Sequence, residues 1–176
     1  MKSIQRNQGG FSLVEILLVL GIIAILAIAA FIIFPQVQAS NRANTEQSNI
    51  TTVTAGVKSL YGATRDYSAI ANSVVNQARI FPASMNGGNF GGTQAITSSW
   101  SAPVTVAPGA VDSQFTITYD AMPSEVCTRL VPGLVQNFAD IQIGATTPAA
   151  LAGTGPADIV TACNLGDTVV VQFTSN

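Results

Sequence analysis

Residues 9–35 read GGFSLVEILLVLGIIAILAIAAFIIFP, and the rest of the chain is placed by this stretch. From Ile16 to Phe34 it carries no charge. At the helical rise of ~1.5 Å per residue the run reaches ~28 Å, close to the ~30 Å hydrocarbon core of a bilayer. One carboxylate, Glu15, stands at its entrance, with a Gly-Gly pair before it. Ahead of both lies the short leader MKSIQRNQ, which holds Lys2 and Arg6 and no acid. Positive flanks stay on the cytoplasmic side, so this reading puts the N-terminus inside and the chain after Phe34 outside. A carboxylate in apolar surroundings is costly unless paired. On the residues alone, Glu15 either sits solvated at the headgroup level or meets a cation.

The run Gly9-Gly10-Phe11-Ser12-Leu13-Val14-Glu15 followed by apolar sequence resembles the class III signal of type IV pilins and pseudopilins. In that family a membrane peptidase cuts after the second Gly and methylates the new amine. The resemblance implies a cut between Gly10 and Phe11, with Phe11 as the N-methylated first residue and Glu15 as the assembly residue. A small, flexible residue before the scissile bond suits such a cut. The methylated amine stays cationic, so in a bundle of these helices Glu15 of one subunit meets the amine of a neighbour. A rival reading is an ordinary secretory signal cleaved after Val37-Gln38-Ala39. Against it, the apolar run exceeds the usual ~7–15 residues and an acid precedes it.

Composition narrows the function further. Of the 176 residues, 48% are hydrophobic and only 9% charged, with a net charge of −2, so nothing favours a nucleic-acid partner. There is no His, which excludes histidine metal sites and histidine-based catalysis. The residues beyond the apolar run suffice for one domain with its own core. The two cysteines, Cys127 and Cys163, are too far apart for a CxxC motif. Outside the cytoplasm a disulfide is the natural reading, with two buried thiols the alternative. The bond would contribute ~4 kcal/mol in the chain-entropy model.

Along the chain, the first helix is expected to run from Ser12 to Tyr61, roughly 75 Å, kinked or loosened at Pro35. Val37, Ile50, Val53, Val57, Leu60 and Tyr61 mark its apolar stripe, and the intervening QASNRANTEQSNITT reads as surface. Gly62 is the expected C-cap. Asp66 or Ser68 is expected to cap a second helix over SAIANSVVNQARI, and Met85 to Gly92 to form a loop. Gln94–Thr97, Val104–Ala107 and Phe115–Tyr119 read as strands of an antiparallel meander. Pro123-Ser124-Glu125 opens a short helix through Cys127 and Leu130, broken or bent at Pro132-Gly133. Ile141 and Ile143 suggest a strand, Ala145 to Asp158 a surface loop, and Thr168 to Phe173 a buried strand.

This second half, with TSSWSAPVTVAP, FTITY, MPSEVCTRL and the terminal VVVQFTSN, is similar to type IVb pilins of thin conjugative and adhesive pili. Two departures stand out: the short leader with Phe11 looks type IVa, and Trp100-Ser101-Ala102 replaces the Trp-Gly-Gly of many relatives. The resemblance implies an α+β pilin fold in which a long N-terminal helix packs on an antiparallel sheet. Leader 1–10, helix 11–62 with membrane and assembly segment 16–34, and head 63–176 are the expected parts. The implied function is a pilus subunit that polymerises through its apolar helix. The implied partners are identical subunits, the prepilin peptidase/methyltransferase, the inner-membrane assembly machinery, and lipid before assembly. The N-terminus is then cytoplasmic and the head periplasmic, before export into an extracellular pilus. Alternatives are a secretion pseudopilin, a minor pilin, or a signal-anchored periplasmic binding domain.

No enzyme, cofactor or metal site is expected. Asp120 and Glu125 flank Pro123, but acids in a first turn favour a helix N-terminus without any catalytic role. MNGGNFGG lacks the Lys and the strand–loop–helix order of a phosphate loop. Trp100 reads as a core or interface aromatic.

Overall fold

The computed structural model describes residues 12–92 and 94–176. Its elements, in chain order, are α1 (Leu13–Leu60), α2 (Asn72–Gln77), α3 (Ala83–Asn86), β1 (Val104–Pro108), β2 (Phe115–Pro123), α4 (Ser124–Leu134), β3 (Asp140–Gly144), α5 (Pro156–Cys163) and β4 (Thr168–Ser175). The chain divides into two compact units, Met1–Val37 and Gln38–Asn176. The second holds the sheet together with the C-terminal half of α1.

The four strands form one antiparallel sheet in the order β1-β2-β4-β3. Its register explains the sequence pattern. Val104, Tyr119, Val171 and Ile143 are cross-strand partners in one row, and Val106, Ile117, Phe173 and Ile141 in the next. All eight are buried. Because side chains alternate between faces, the intervening row of Thr105, Thr118, Gln172 and Gln142 lies on the other face and is polar. The buried rows share a hydrophobic cluster with Ala39, Ala43, Ile50, Val53 and Val57 of α1. Each such large side chain contributes about 1.5–3 kcal/mol when taken fully from water.

Several expectations need correction. The expected meander forms only in part: Val104–Ala107 and Phe115–Tyr119 pair antiparallel, but Gln94–Thr97 reaches them only through an isolated Thr97–Pro103 bridge. The second helix starts at Asn72 after an Ala71 N-cap, while Asp66 closes a turn by accepting the Ser68 N–H at 2.9 Å. Hydrogen bonding from the Ser68 side chain, and then from its backbone N–H, holds the exposed Asp66 carboxyl below its ordinary pKa. Met85 and Asn86 belong to α3, which ends at Gly87 in the left-handed region, φ 62°, where a residue without Cβ is favoured. Helix α1 does not end on a left-handed Gly62. The Tyr61 carbonyl instead accepts the N–H of Arg65, whose φ is 50°.

Helix α4 continues through Pro132 to Leu134, because Val126, Cys127, Leu130, Val131 and Leu134 give it a buried face. Within the expected loop 145–158 the chain already enters α5 at Pro156, whose missing N–H costs nothing in a first turn. The preceding turn folds back on β3, with the Ile143 N–H donated to the Ala149 carbonyl. A Cβ at Gly144 would collide with the Thr147 carbonyl there.

Candidate functional site

The first turn of α1 begins at Ser12, whose carbonyl accepts the N–H groups of Glu15 (3.0 Å) and Ile16 (3.2 Å). Glu15 therefore sits in the first turn, where the positive end of the helix dipole favours an acid. The next turns are apolar on every side. Leu13, Ile16, Leu18, Leu20, Ile25 and Phe31 are between 50% and 81% exposed. A helix that is hydrophobic all round needs lipid or other protein around it. Among the described residues this is the one helix long and apolar enough to cross a membrane. It passes through Pro35 without interruption, although the Phe31 carbonyl loses its usual donor there.

Exposure changes at Ala39. From there the inner face of α1 is Ala39, Ala43, Glu46, Ile50, Val53 and Val57, all buried. This corrects the expected stripe toward both ends: Val37 and Leu60 are exposed, and the stretch read as surface supplies Ala39, Ala43, Glu46 and Asn49 to the interior. Glu46 is fully buried. Its Oε1 accepts the Ser99 N–H at 2.7 Å, and its Oε2 accepts the Tyr119 hydroxyl at 3.1 Å. Burial and the negative charge of Glu46 push the Tyr119 hydroxyl well above its ordinary pKa. Sequence reasoning missed Glu46. The available signal was its place three residues after Ala43 and four before Ile50, on the buried stripe.

The remaining candidates fall in separate places. Gly10 and Phe11 lie outside the described residues. A disulfide joins Cys127 of α4 to Cys163 of α5, with the Cα atoms 5.6 Å apart and both residues buried. Glu125 occupies the first turn of α4. Trp100 is half-buried, lies tilted against the Tyr119 ring with centroids 5.7 Å apart and donates its Nε1–H to the Asp120 carbonyl. No group of three or more His, Cys, Asp or Glu among the described residues could hold a metal ion.

Residues 40–176 match the family model described as PilS N terminal, and residues 5–31 match the prokaryotic N-terminal methylation motif. No curated protein matches the chain. Among solved structures, the chain is similar to TcpA, a type IV pilin from Vibrio cholerae El Tor biotype. The match has a TM-score of 0.51 and 16% identity, over 79% of this chain and 99% of that one. At that identity the likeness is one of fold.

Proposed function

The chain belongs to the type IV pilin family as a type IVb-like pilus subunit, and from that premise we propose that it is made as a membrane-held precursor, cut between Gly10 and Phe11, methylated on Phe11 and polymerised through residues 16–34. The observation that carries this reading is the change of exposure along α1. Among the described residues its apolar N-terminal turns stand exposed, whereas from Ala39 onward one face of the helix is buried. Lipid covers such a segment in the precursor, and copies of the same helix cover it in a filament.

In this reading residues 1–10 are a leader, 11–62 the helix that assembles, and 63–176 the head. The N-terminus stays cytoplasmic and the head is periplasmic until export. A prepilin peptidase/methyltransferase and the inner-membrane assembly machinery act on the chain, whose own role is structural and not catalytic. The type IVb likeness supports a thin adhesive or conjugative pilus.

Mass spectrometry of the mature N-terminus tests the processing step. The expected product begins at methylated Phe11, and Gly10→Val leaves full-length precursor in the membrane. A mature chain beginning at Ser40 would indicate an ordinary signal peptidase and overturn the reading.

A further inference from the structure

We propose that Glu46 is a register pin, a buried carboxylate that selects the one height at which the head seats on α1. Apolar packing alone discriminates poorly among heights. The inner face of α1 presents Ala39, Ala43, Ile50, Val53 and Val57. A slide by one turn replaces Ala by Ala and Val by Val or Ile, which are changes a core tolerates well. Glu46 interrupts that series. Moved by a turn, its carboxylate would lose its donors inside an apolar core, and a buried charge without partners is strongly disfavoured. A single buried polar residue fixes the register of coiled coils by the same logic.

The donors that receive Glu46 are held in place by further hydrogen bonds and ring contacts. The Ser99 N–H belongs to a tight turn in which Ser98 N–H donates to the Ala102 carbonyl and Ser101 N–H to the Ser98 carbonyl, both at 2.9 Å. Ser101 holds φ 64° in the left-handed region. The Tyr119 hydroxyl extends from β2 just before a register shift of the β2–β4 ladder between Tyr119 and Met122, where Ala121 holds φ 44°. Trp100 ties the turn to that irregularity through the Asp120 carbonyl and covers the Tyr119 ring. Backbone held in sparsely populated regions persists only where its surroundings over-determine it. Here two such residues flank the two best donors to one carboxylate. Asn49 adds a longer contact from the same helix, 3.3 Å to Oε2, and moves with Glu46.

The chain has a single tryptophan, Trp100, and it sits on the pin. Full-length protein labelled with 5-fluorotryptophan, in detergent micelles, is therefore expected to give one fluorine resonance. Glu46→Leu combined with Tyr119→Phe removes the pin and one orphaned partner. It is expected to keep helical circular dichroism and the Cys127–Cys163 bond while the resonance splits into several. Glu46→Gln still needs polar partners and is expected to keep one line. A folded double variant with one unshifted line would overturn the proposal. So would loss of the folded signal in the double variant, which would make Glu46 a stability element only. Neither result bears on leader cleavage or filament formation.

Discussion

The side-chain amide of Asn72 lies against the outer edge of β1, where its Oδ1 accepts the Val106 N–H at 2.6 Å. Its Nδ2 donates to the Val104 carbonyl at 2.8 Å, so one side chain fills the place of a neighbouring strand. The Ile96 carbonyl takes the Val104 N–H, and Pro108 has no N–H to offer. An edge strand left bare is a template for pairing with another chain. Asn72→Ala is expected to lower stability by about 1–3 kcal/mol, the cost of leaving such groups unsatisfied. It is also expected to raise the oligomeric fraction of detergent-solubilised protein. Adding Thr105→Lys, a charge on the exposed side of that edge, should suppress the oligomers without restoring stability. Denaturation midpoints and size-exclusion profiles of the single and double variants check both statements.

Tyr119 makes stability sensitive to alkali. Its hydroxyl ionises well above the ordinary tyrosine value in the folded chain, because it is buried and faces the negative Glu46. The unfolded chain releases that proton near pH ~10. Below that pH the contribution is fully present. As pH rises from there toward the folded value, the unfolded state binds fewer protons and stability is lost. Tyr119→Phe is expected to cost about 1–3 kcal/mol at neutral pH, where Glu46 loses a donor. It should also flatten the alkaline decline. Urea midpoints of both proteins between about pH 8 and about pH 11 give the comparison, and parallel curves would rule out this linkage.

The Cys127–Cys163 bond joins α4 to α5 across a sequence separation of 36 residues. Replacing both cysteines by alanine keeps the buried sites apolar and opens that loop. A loss of ~4 kcal/mol follows from the chain-entropy model. The expected readout is a lower denaturation midpoint than in oxidised wild type. Reduced wild type should match the double variant, and cleavage of the leader should be unchanged.

Local pattern made much of this molecule legible. The apolar run could only be a helix, the alternation in Phe115–Tyr119 revealed which side chains face inward, and the β-branched and aromatic run Thr168–Phe173 read as a buried strand. What local pattern cannot carry is the order of strands. Nothing in Ile141 or Phe173 alone says that β4, the last strand, lies between β2 and β3. The inner face of α1 was hidden for a different reason. Ala39 and Ala43 are as common on surfaces as in cores, and a Glu among Asn, Thr, Gln and Ser reads as solvated. Its burial depends on Ser99 and Tyr119, far away in sequence. Helix α5 had a signal in Pro156 at its first turn and Asp158 behind it, but its small residues resembled a loop. Glu15 stands out in the sequence as the lone acid beside a long apolar run, and the structure puts it in the first turn of α1.

On the assembly proposed above, Glu15 sets the axial height at which subunits join. In a single subunit held in a membrane, the first turn of α1 lies near the interface and water reaches the acid. In a filament the apolar turns of neighbouring copies cover one another, and the acid becomes more buried. An unpaired carboxylate there is strongly disfavoured, whereas under the proposed processing a methylated amine on Phe11 of a neighbour would offset much of the desolvation. That pair forms only when the incoming subunit stands at the right axial height. The apolar residues supply the contact area, and the acid selects among offsets. Glu15→Ala and Glu15→Val remove the selecting charge and leave the neighbour's amine unpaired. Both should permit leader cleavage and membrane insertion while lowering the yield of sheared filaments roughly tenfold or more, the effect of ~1.4 kcal/mol per contact. Glu15→Gln keeps the shape without the charge and should also assemble poorly. The ratio of sheared filament to mature subunit in the membrane measures each variant. A normal ratio for Glu15→Val would leave the charge pair without support, even in a chain that still forms pili.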